Sequence, residues 1–86
     1  MQLDQDEMNA VVKRLKRAQG QLGGVIRMIE EGRGCEEIVT QLAAVSKAVD
    51  RAGFTTISIG LRQCVERPED GNLDTAKMEK LFLSLA

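Results

Sequence analysis

Apolar residues recur at three- and four-residue intervals along most of the chain, which is the spacing of amphipathic helices. The first series ends at the turn signal Gly-Arg-Gly of residues 32–34. The second begins at Cys35 and is expected to end by Arg67, because a residue before proline is disfavoured in the helical conformation. A third, shorter series follows, and Asn72 or Asp74 is suited to cap it. Three helices are therefore predicted, two long and one short.

The ends and faces of the two long helices can also be predicted. The first helix starts at a sequence resembling a capping box, from Asp4 to Glu7, and runs to about Glu31. The second helix carries an apolar seam suited to antiparallel pairing with another helix. The members of this seam are Cys35, Ile38, Leu42, Val45, Val49, Ala52 and Ile59.

Length and composition indicate one all-α domain over residues 1–86. The chain has only two aromatic residues, and Ala, Leu, Glu, Lys, Arg and Gln are plentiful. A chain of 86 residues has room for a single domain and buries little core by itself, so an oligomer is expected. Its start lacks the basic and apolar runs of a signal peptide, and no stretch is apolar enough to span a membrane. A cytoplasmic location is therefore expected.

The two cysteines, Cys35 and Cys64, are the most informative candidates for chemistry. They lie 29 residues apart on one predicted helix. That spacing places them within about 20° of one helix face but roughly 43 Å apart, whereas a disulfide needs Cα atoms within about 7 Å. Two antiparallel copies of the helix, centred near Val49 and Asp50, would place Cys35 of one copy beside Cys64 of the other. The spacing therefore suggests a dimer with two shared thiol pairs.

Several interpretations of these thiols remain open. Free cysteines are often small buried hydrophobes. Against this, Cys35 lies at a predicted helix N-terminus, which favours the reactive thiolate. In the cytoplasm, reactive or metal-binding cysteines are more common than structural disulfides. The chain has no histidine, so no Cys-His dyad or Ser-His-Asp triad is possible and no enzyme is expected.

Basic residues are concentrated on the first helix. The formal net charge of the chain is −1, yet no acidic residue lies between Met8 and Ile29. An ordinary solvated helix face would explain this segment, and so would a surface that binds DNA phosphates. The basic residues of the patch are Lys13, Arg14, Lys16 and Arg17, and Arg51 of the second helix could extend it.

The run Arg-Leu-Lys-Arg-Ala-Gln-Gly-Gln-Leu-Gly-Gly at 14–24 resembles the opening of the CsoR/RcnR family of bacterial repressors. Cys35 and Gln-Leu-Ala-Ala-Val at 41–45 match this family as well, and the resemblance covers essentially the whole chain. It implies a three-helix protomer that forms an antiparallel four-helix-bundle dimer and a dimer-of-dimers tetramer. It also implies a repressor of double-stranded operator DNA. By position, Arg14 and Arg51 match basic residues that family members use for DNA, and Lys13, Lys16 and Arg17 match less closely.

The departures from the family pattern narrow the expected ligand. Copper-sensing members have a histidine four residues before the second cysteine, where this chain has Gly60. They also tend to have an acidic residue where Lys80 aligns, and formaldehyde-sensing members have a proline where this chain has Gln2. Nickel- and cobalt-sensing members need histidines. What remains resembles the persulfide-sensing branch, the CsoR-like sulfurtransferase repressors.

We therefore expect a repressor that responds to persulfide or polysulfide. Cys35 attacks the sulfur donor, Cys64 of the partner subunit captures the product, and the resulting di- or polysulfide bridge releases operator DNA. On this interpretation no metal or other cofactor is expected. The alternative is a Cu(I)-responsive repressor in which Cys35 and Cys64 form a two-thiolate site. A sensor of other electrophiles and a helical scaffold with inert cysteines are less favoured interpretations.

Overall fold

A computed structural model describes residues 2–66 and 75–86 of the chain. Helix α1 spans Gln5–Glu30, α2 spans Cys35–Glu66 and α3 spans Thr75–Leu85. No strand occurs in the described ranges. The prediction of an all-α protomer with two long helices and one short helix is therefore confirmed. The proposed caps Asn72 and Asp74 lie outside the described residues.

The start of α1 is fixed by Asp4. Its Oδ1 accepts hydrogen bonds from the backbone N–H groups of Asp6 and Glu7, at 2.9 and 3.2 Å, which satisfies donors that a helix start leaves unpaired. The predicted cap therefore forms. The Glu7 carboxylate instead reaches across to α2, where Arg62 donates to it at 2.6 Å.

The turn between α1 and α2 depends on Gly32, whose φ of +72° lies in the left-handed region that favours glycine. The N–H of Gly32 donates to the carbonyl of Ile29 at 3.1 Å, and that of Arg33 to Met28 at 2.9 Å. These bonds satisfy carbonyls at the end of α1. The helix therefore stops where the Gly-Arg-Gly signal predicts.

Helices α1 and α2 pack as an antiparallel hairpin through residues spaced seven apart. On α1 the buried residues are Val11, Ala18 and Val25. On α2 the corresponding residues are Val45, Ala52 and Ile59. Because these three side chains are buried within the protomer, their assignment to a seam with a second copy is wrong. The same predicted seam leaves Leu42 and Val49 exposed.

Val11 is expected to dominate the packing of this hairpin, because only 2% of its surface is exposed. Val11→Ala removes two buried carbons and leaves a cavity, so we expect the free energy of unfolding to fall by about 2 kcal/mol. Urea unfolding followed by circular dichroism measures this change. Val65→Ala is the matched control, since Val65 is 82% exposed. Equal losses in the two variants would contradict the assigned core.

Helix α3 lies against the C-terminal half of α2. The rings of Phe54 and Phe82 pack with centroids 5.2 Å apart. Gly53 makes room for the end of α3, since a Cβ atom at this position would lie 2.7 Å from Cδ1 of Leu85. Together these contacts place α3 near the end of α2 that carries Cys64. Within the described ranges, no helix is long and apolar enough to cross a membrane.

Candidate functional site

The two thiols lie at opposite ends of one continuous helix. Cys35 is the first residue of α2 and is exposed, and Cys64 is half-buried near the other end. Both are free, and the 32-residue length of α2 keeps them roughly 43 Å apart. The interpretation of both cysteines as buried hydrophobes therefore fails for Cys35. No bond between the two thiols of one chain is possible in this fold.

The segment leading into Cys35 is held by an ion pair. Arg33 donates from Nε to Glu37 at 2.9 Å, and its second nitrogen bonds the other carboxylate oxygen at 3.2 Å. This hydrogen-bonded pair lowers the pKa of Glu37 and raises the pKa of Arg33. Because the Glu37 pKa is lowered on folding, the stabilisation is present above its unfolded pKa and is lost as pH falls through the folded value. The pair is exposed, so its contribution to stability is small.

The turn of α2 that carries Cys64 also contacts the start of α1. Gln63 is 3% exposed, and its carboxamide bonds the backbone of Gln2 and Asp4. Arg62 forms the ion pair with Glu7 described above. Sequence reasoning did not identify Gln63, although its position four residues after Ile59 continues the buried face of α2. A polar residue on such a face was the available signal.

Three of the predicted DNA-binding residues come together across the hairpin. Arg14 and Arg17 of α1 and Arg51 of α2 line a concavity of about 260 Å³ with Ala48. Lys13 and Lys16 are exposed on α1 but do not line this concavity. The five residues make no ion pair with a carboxylate in the described parts of the chain. The arginines of this concavity, hereafter the arginine patch, are therefore available to an anionic partner.

The arginine patch and the thiols are separate. Arg51 lies 13 residues before Cys64 and 16 after Cys35, which is roughly 20 and 24 Å along the helix axis. Arg51 and Cys64 also lie about 140° apart around that axis. A ligand at the thiols does not contact the patch directly, so any effect on DNA binding has to pass through the helices.

The donor set can be tested against a metal ion. In the described residues of one protomer, no group of three or more His, Cys, Asp and Glu side chains could hold a metal. Thiolates are soft ligands and therefore suit Cu(I) in kind. Cys35 and Cys64 from two copies supply two such ligands, which fits a Cu(I) ion shared between chains but not a tetrahedral zinc site.

Comparison with known proteins gives a family match over residues 7–84, to the family described as "Metal-sensitive transcriptional repressor". The chain is 40% identical over 55 residues to the copper-sensing transcriptional repressor RicR of Mycobacterium tuberculosis, covering 64% of this chain and 57% of RicR. It is 37% identical over 59 residues to the copper-sensing transcriptional repressor CsoR of Mycobacterium ulcerans, covering 69% and 50%. An uncharacterized protein, YrkD of Bacillus subtilis, is 42% identical over 58 residues, covering 67% and 92%.

These matches correct one expectation and confirm two. The matched region spans about half the length of the two mycobacterial repressors. The expectation that the chain works without a cofactor is contradicted, because the family is described as metal-sensitive and these two relatives as copper-sensing. The expectation that the chain is not an enzyme is confirmed, since the family consists of transcriptional repressors. The resemblance noted at residues 14–24 is confirmed as well, and the chain belongs to the CsoR/RcnR family of metal-sensitive transcriptional repressors.

Proposed function

We propose that this chain represses transcription by binding double-stranded operator DNA and releases the DNA when Cu(I) binds its thiols. The observation that carries the proposal is the placement of two free thiols at opposite ends of one helix. Neither thiol has a second ligand within its own protomer. The names of the copper-sensing relatives support Cu(I) over persulfide as the effector.

The proposed thiol pair requires a dimer, and the hairpin offers a surface for one. Apolar side chains on both long helices remain exposed, and three of those on α1 are spaced seven apart. A second hairpin placed antiparallel would cover this surface and form a four-helix bundle, burying apolar area as folding does. We propose this dimer, and a tetramer of two dimers, as the functional form. The exposed residues are Leu15, Leu22, Ile26 and Ile29 of α1, and Leu42 and Val49 of α2.

The arginine patch is the proposed DNA surface. Guanidinium groups bind phosphate oxygens with charge-assisted hydrogen bonds. Arg14, Arg17 and Arg51 converge on one concavity, and Lys13 and Lys16 extend the positive charge along α1. An oligomer repeats the patch by symmetry, which strengthens attraction to the DNA backbone.

In the proposed dimer, Cys35 and Cys64 of the partner subunit hold the Cu(I) ion. The metal supplies a bridge between two thiolates, which would otherwise repel each other. Bridging links the N-terminal end of one α2 to the C-terminal end of the other. Ligand and DNA are then coupled if the linked arrangement presents the arginine patch less favourably.

A second effector is favoured by a specific observation. The chain has no histidine, and Gly60, at the position of the histidine of copper-sensing members, is buried. Thiols alone are sufficient for sulfane sulfur chemistry. Cys35 thiolate would attack a polysulfide, forming a persulfide and expelling a polysulfide shortened by one sulfur. Cys64 thiolate of the partner subunit would then displace hydrosulfide, so that two thiols are oxidised as sulfane sulfur is reduced.

Parallel treatment of the protein with Cu(I) and with polysulfide tests the proposal and separates the two effectors. Operator affinity is measured by titration, and the covalent state of each sample by intact-mass analysis without reductant. Operator release by one equivalent of Cu(I), with unmodified thiols, supports the proposed function. Release only by polysulfide, with crosslinked dimers of added sulfur mass, would establish the second effector instead. Binding of the operator in neither condition would contradict both.

Gly60→His tests the alignment with copper-sensing members. An imidazole one helical turn before Cys64 would add a third ligand for Cu(I), so we expect the Cu(I) affinity to rise by about tenfold or more. Competition with a Cu(I) chelator measures this affinity. Gly60→Ala is the control, since it removes the same buried glycine without adding a ligand. If the two variants bind Cu(I) equally, the position of the missing histidine is wrong.

A further inference from the structure

Gln63 is the one buried polar side chain in the described parts of the chain, and both ends of its carboxamide are used. Its Nε2 donates to the carbonyl of Gln2 at 2.6 Å. Its Oε1 accepts from the N–H of Asp4 at 2.9 Å. The side chain thus binds the segment before α1 by two hydrogen bonds across about 60 residues of sequence, and we call this pair of bonds the Gln63 clamp.

Neighbouring contacts fasten the same end of α1. Asp4 caps α1 with its side chain, so the clamp holds the residue from which the helix starts. Arg62 and Glu7 form an ion pair with a 2.6 Å contact between the helices. Leu3 packs against the cluster formed by Val11, Ala52 and Ile59. The orientation of α1 on α2 is therefore set at this end by polar and apolar contacts together.

The clamp and a proposed ligand-binding thiol share one turn of α2. Successive helix residues point about 100° apart, so Gln63 faces the start of α1 while Cys64 is directed to one side of it. Cys64 is half-buried, so a bond at its sulfur cannot be relieved by free side-chain motion alone. A rotation or bend of this turn that adjusts Cys64 to a ligand therefore also displaces Gln63.

From this juxtaposition we infer that Gln63 is a positioning residue that couples the ligand state of Cys64 to the orientation of α1. The inference rests on the proposed function. The structure, with both thiols free, has the clamp closed. In this state α1 holds Arg14 and Arg17 beside Arg51. Loading of Cys64 opens the clamp, α1 shifts against α2, and the arginine patch no longer matches the spacing of the phosphates.

The coupling is tested in the full chain with Gln63→Leu, Gln63→Glu and Gln41→Leu. Leucine removes both hydrogen bonds, and it is chosen over methionine because a thioether beside Cys64 could itself bind Cu(I). Glutamate keeps an acceptor for the Asp4 N–H but loses the donor to Gln2. Gln41→Leu makes the same substitution at an exposed position of α2, roughly 33 Å away. Operator affinity and Cu(I) stoichiometry are measured for each, with and without Cu(I).

Gln63→Leu is expected to bind one Cu(I) per thiol pair but to bind the operator at least about tenfold more weakly without metal. The ratio of operator Kd values with and without Cu(I) then falls toward one, and Gln63→Glu is intermediate. By linkage, the Cu(I) affinity of Gln63→Leu in the absence of DNA stays equal or rises. A ratio equal to that of wild type and of Gln41→Leu would overturn the inference.

Hydrogen exchange of the wild-type N-terminal peptide gives a readout that does not depend on a variant folding. Cu(I) loading is expected to accelerate exchange of the Asp4 amide, which Gln63 protects in the structure. Unchanged exchange in a sample whose operator has been released would overturn the coupling but leave the proposed function intact. If Cu(I) does not release the operator, the proposed function fails. Weaker metal-free operator binding by Gln63→Leu would then still support the role of the clamp in positioning α1.

Discussion

Cys35→Ser and Cys64→Ser are each expected to abolish operator release by Cu(I) and to leave metal-free operator affinity within about threefold of wild type. Each substitution removes one ligand from both thiol pairs of the proposed dimer. Serine retains the size of the side chain but is a poor ligand for a soft ion. Neither thiol lies in the arginine patch, so the DNA surface remains intact. Operator titration with and without stoichiometric Cu(I) measures both effects.

Mixing the two variants gives the sharper test of where the thiol pair lies. A heterodimer of Cys35→Ser and Cys64→Ser chains has one complete site, formed by Cys64 of the first chain and Cys35 of the second, and one site without thiols. Random exchange of subunits would therefore restore about one quarter of the Cu(I) sites, because a two-fold interface forms each site from opposite residues of the two copies. Restoration of none after verified exchange would contradict a site shared between subunits.

Replacement of Arg14 and Arg51 together by alanine is expected to reduce operator affinity by about 100-fold and to flatten its salt dependence by about two units of log–log slope. Both guanidinium groups line the arginine patch without a carboxylate partner among the described residues. In a dimer the double substitution removes four charges from the DNA surface. Each lost phosphate contact decreases the number of counterions released on binding. Titrations at several salt concentrations measure affinity and slope together.

Arg27→Ala is the matched control for this prediction. Arg27 lies on α1 too, but roughly 20 Å from Arg14 along the helix and outside the arginine patch. Its removal lowers the general positive charge without a loss at the proposed contact. If Arg27→Ala weakens binding as much per charge as the patch variants, net charge rather than the patch determines affinity. If the patch variants bind normally, the DNA surface lies elsewhere.

Much of the fold could be predicted because its signals are local. The apolar period identified three helices, Asp4 marked the start of α1, and the glycines at 32 and 34 marked its end. These features depend on side chains within a few residues of each other. The placement of Cys35 and Cys64 on one continuous helix followed from the same periodicity.

The expected seam on α2 shows where periodic patterns mislead. The prediction assigned Val45, Ala52 and Ile59 to contact with another copy, but they are buried in the protomer itself. A heptad pattern reports that a face is covered, and it does not report which helix covers it. The same limit applies to the ligand. The missing histidine at Gly60 led to the expectation of a cofactor-free thiol sensor, and the metal-sensitive family and its copper-sensing members contradict the absence of a cofactor.

By itself, the sequence determined the helices, their ends, the common face of the two thiols and the charge of the first helix, since each depends on neighbours within a few turns. Only the tertiary structure decided which apolar stripe joins α1 to α2, how Arg51 meets Arg14 and Arg17, and that Gln63 binds the start of α1. Each of these contacts joins residues far apart in sequence. Their formation depends on the axial register and rotation of one helix against another, which the packing of the buried side chains sets and no local pattern encodes.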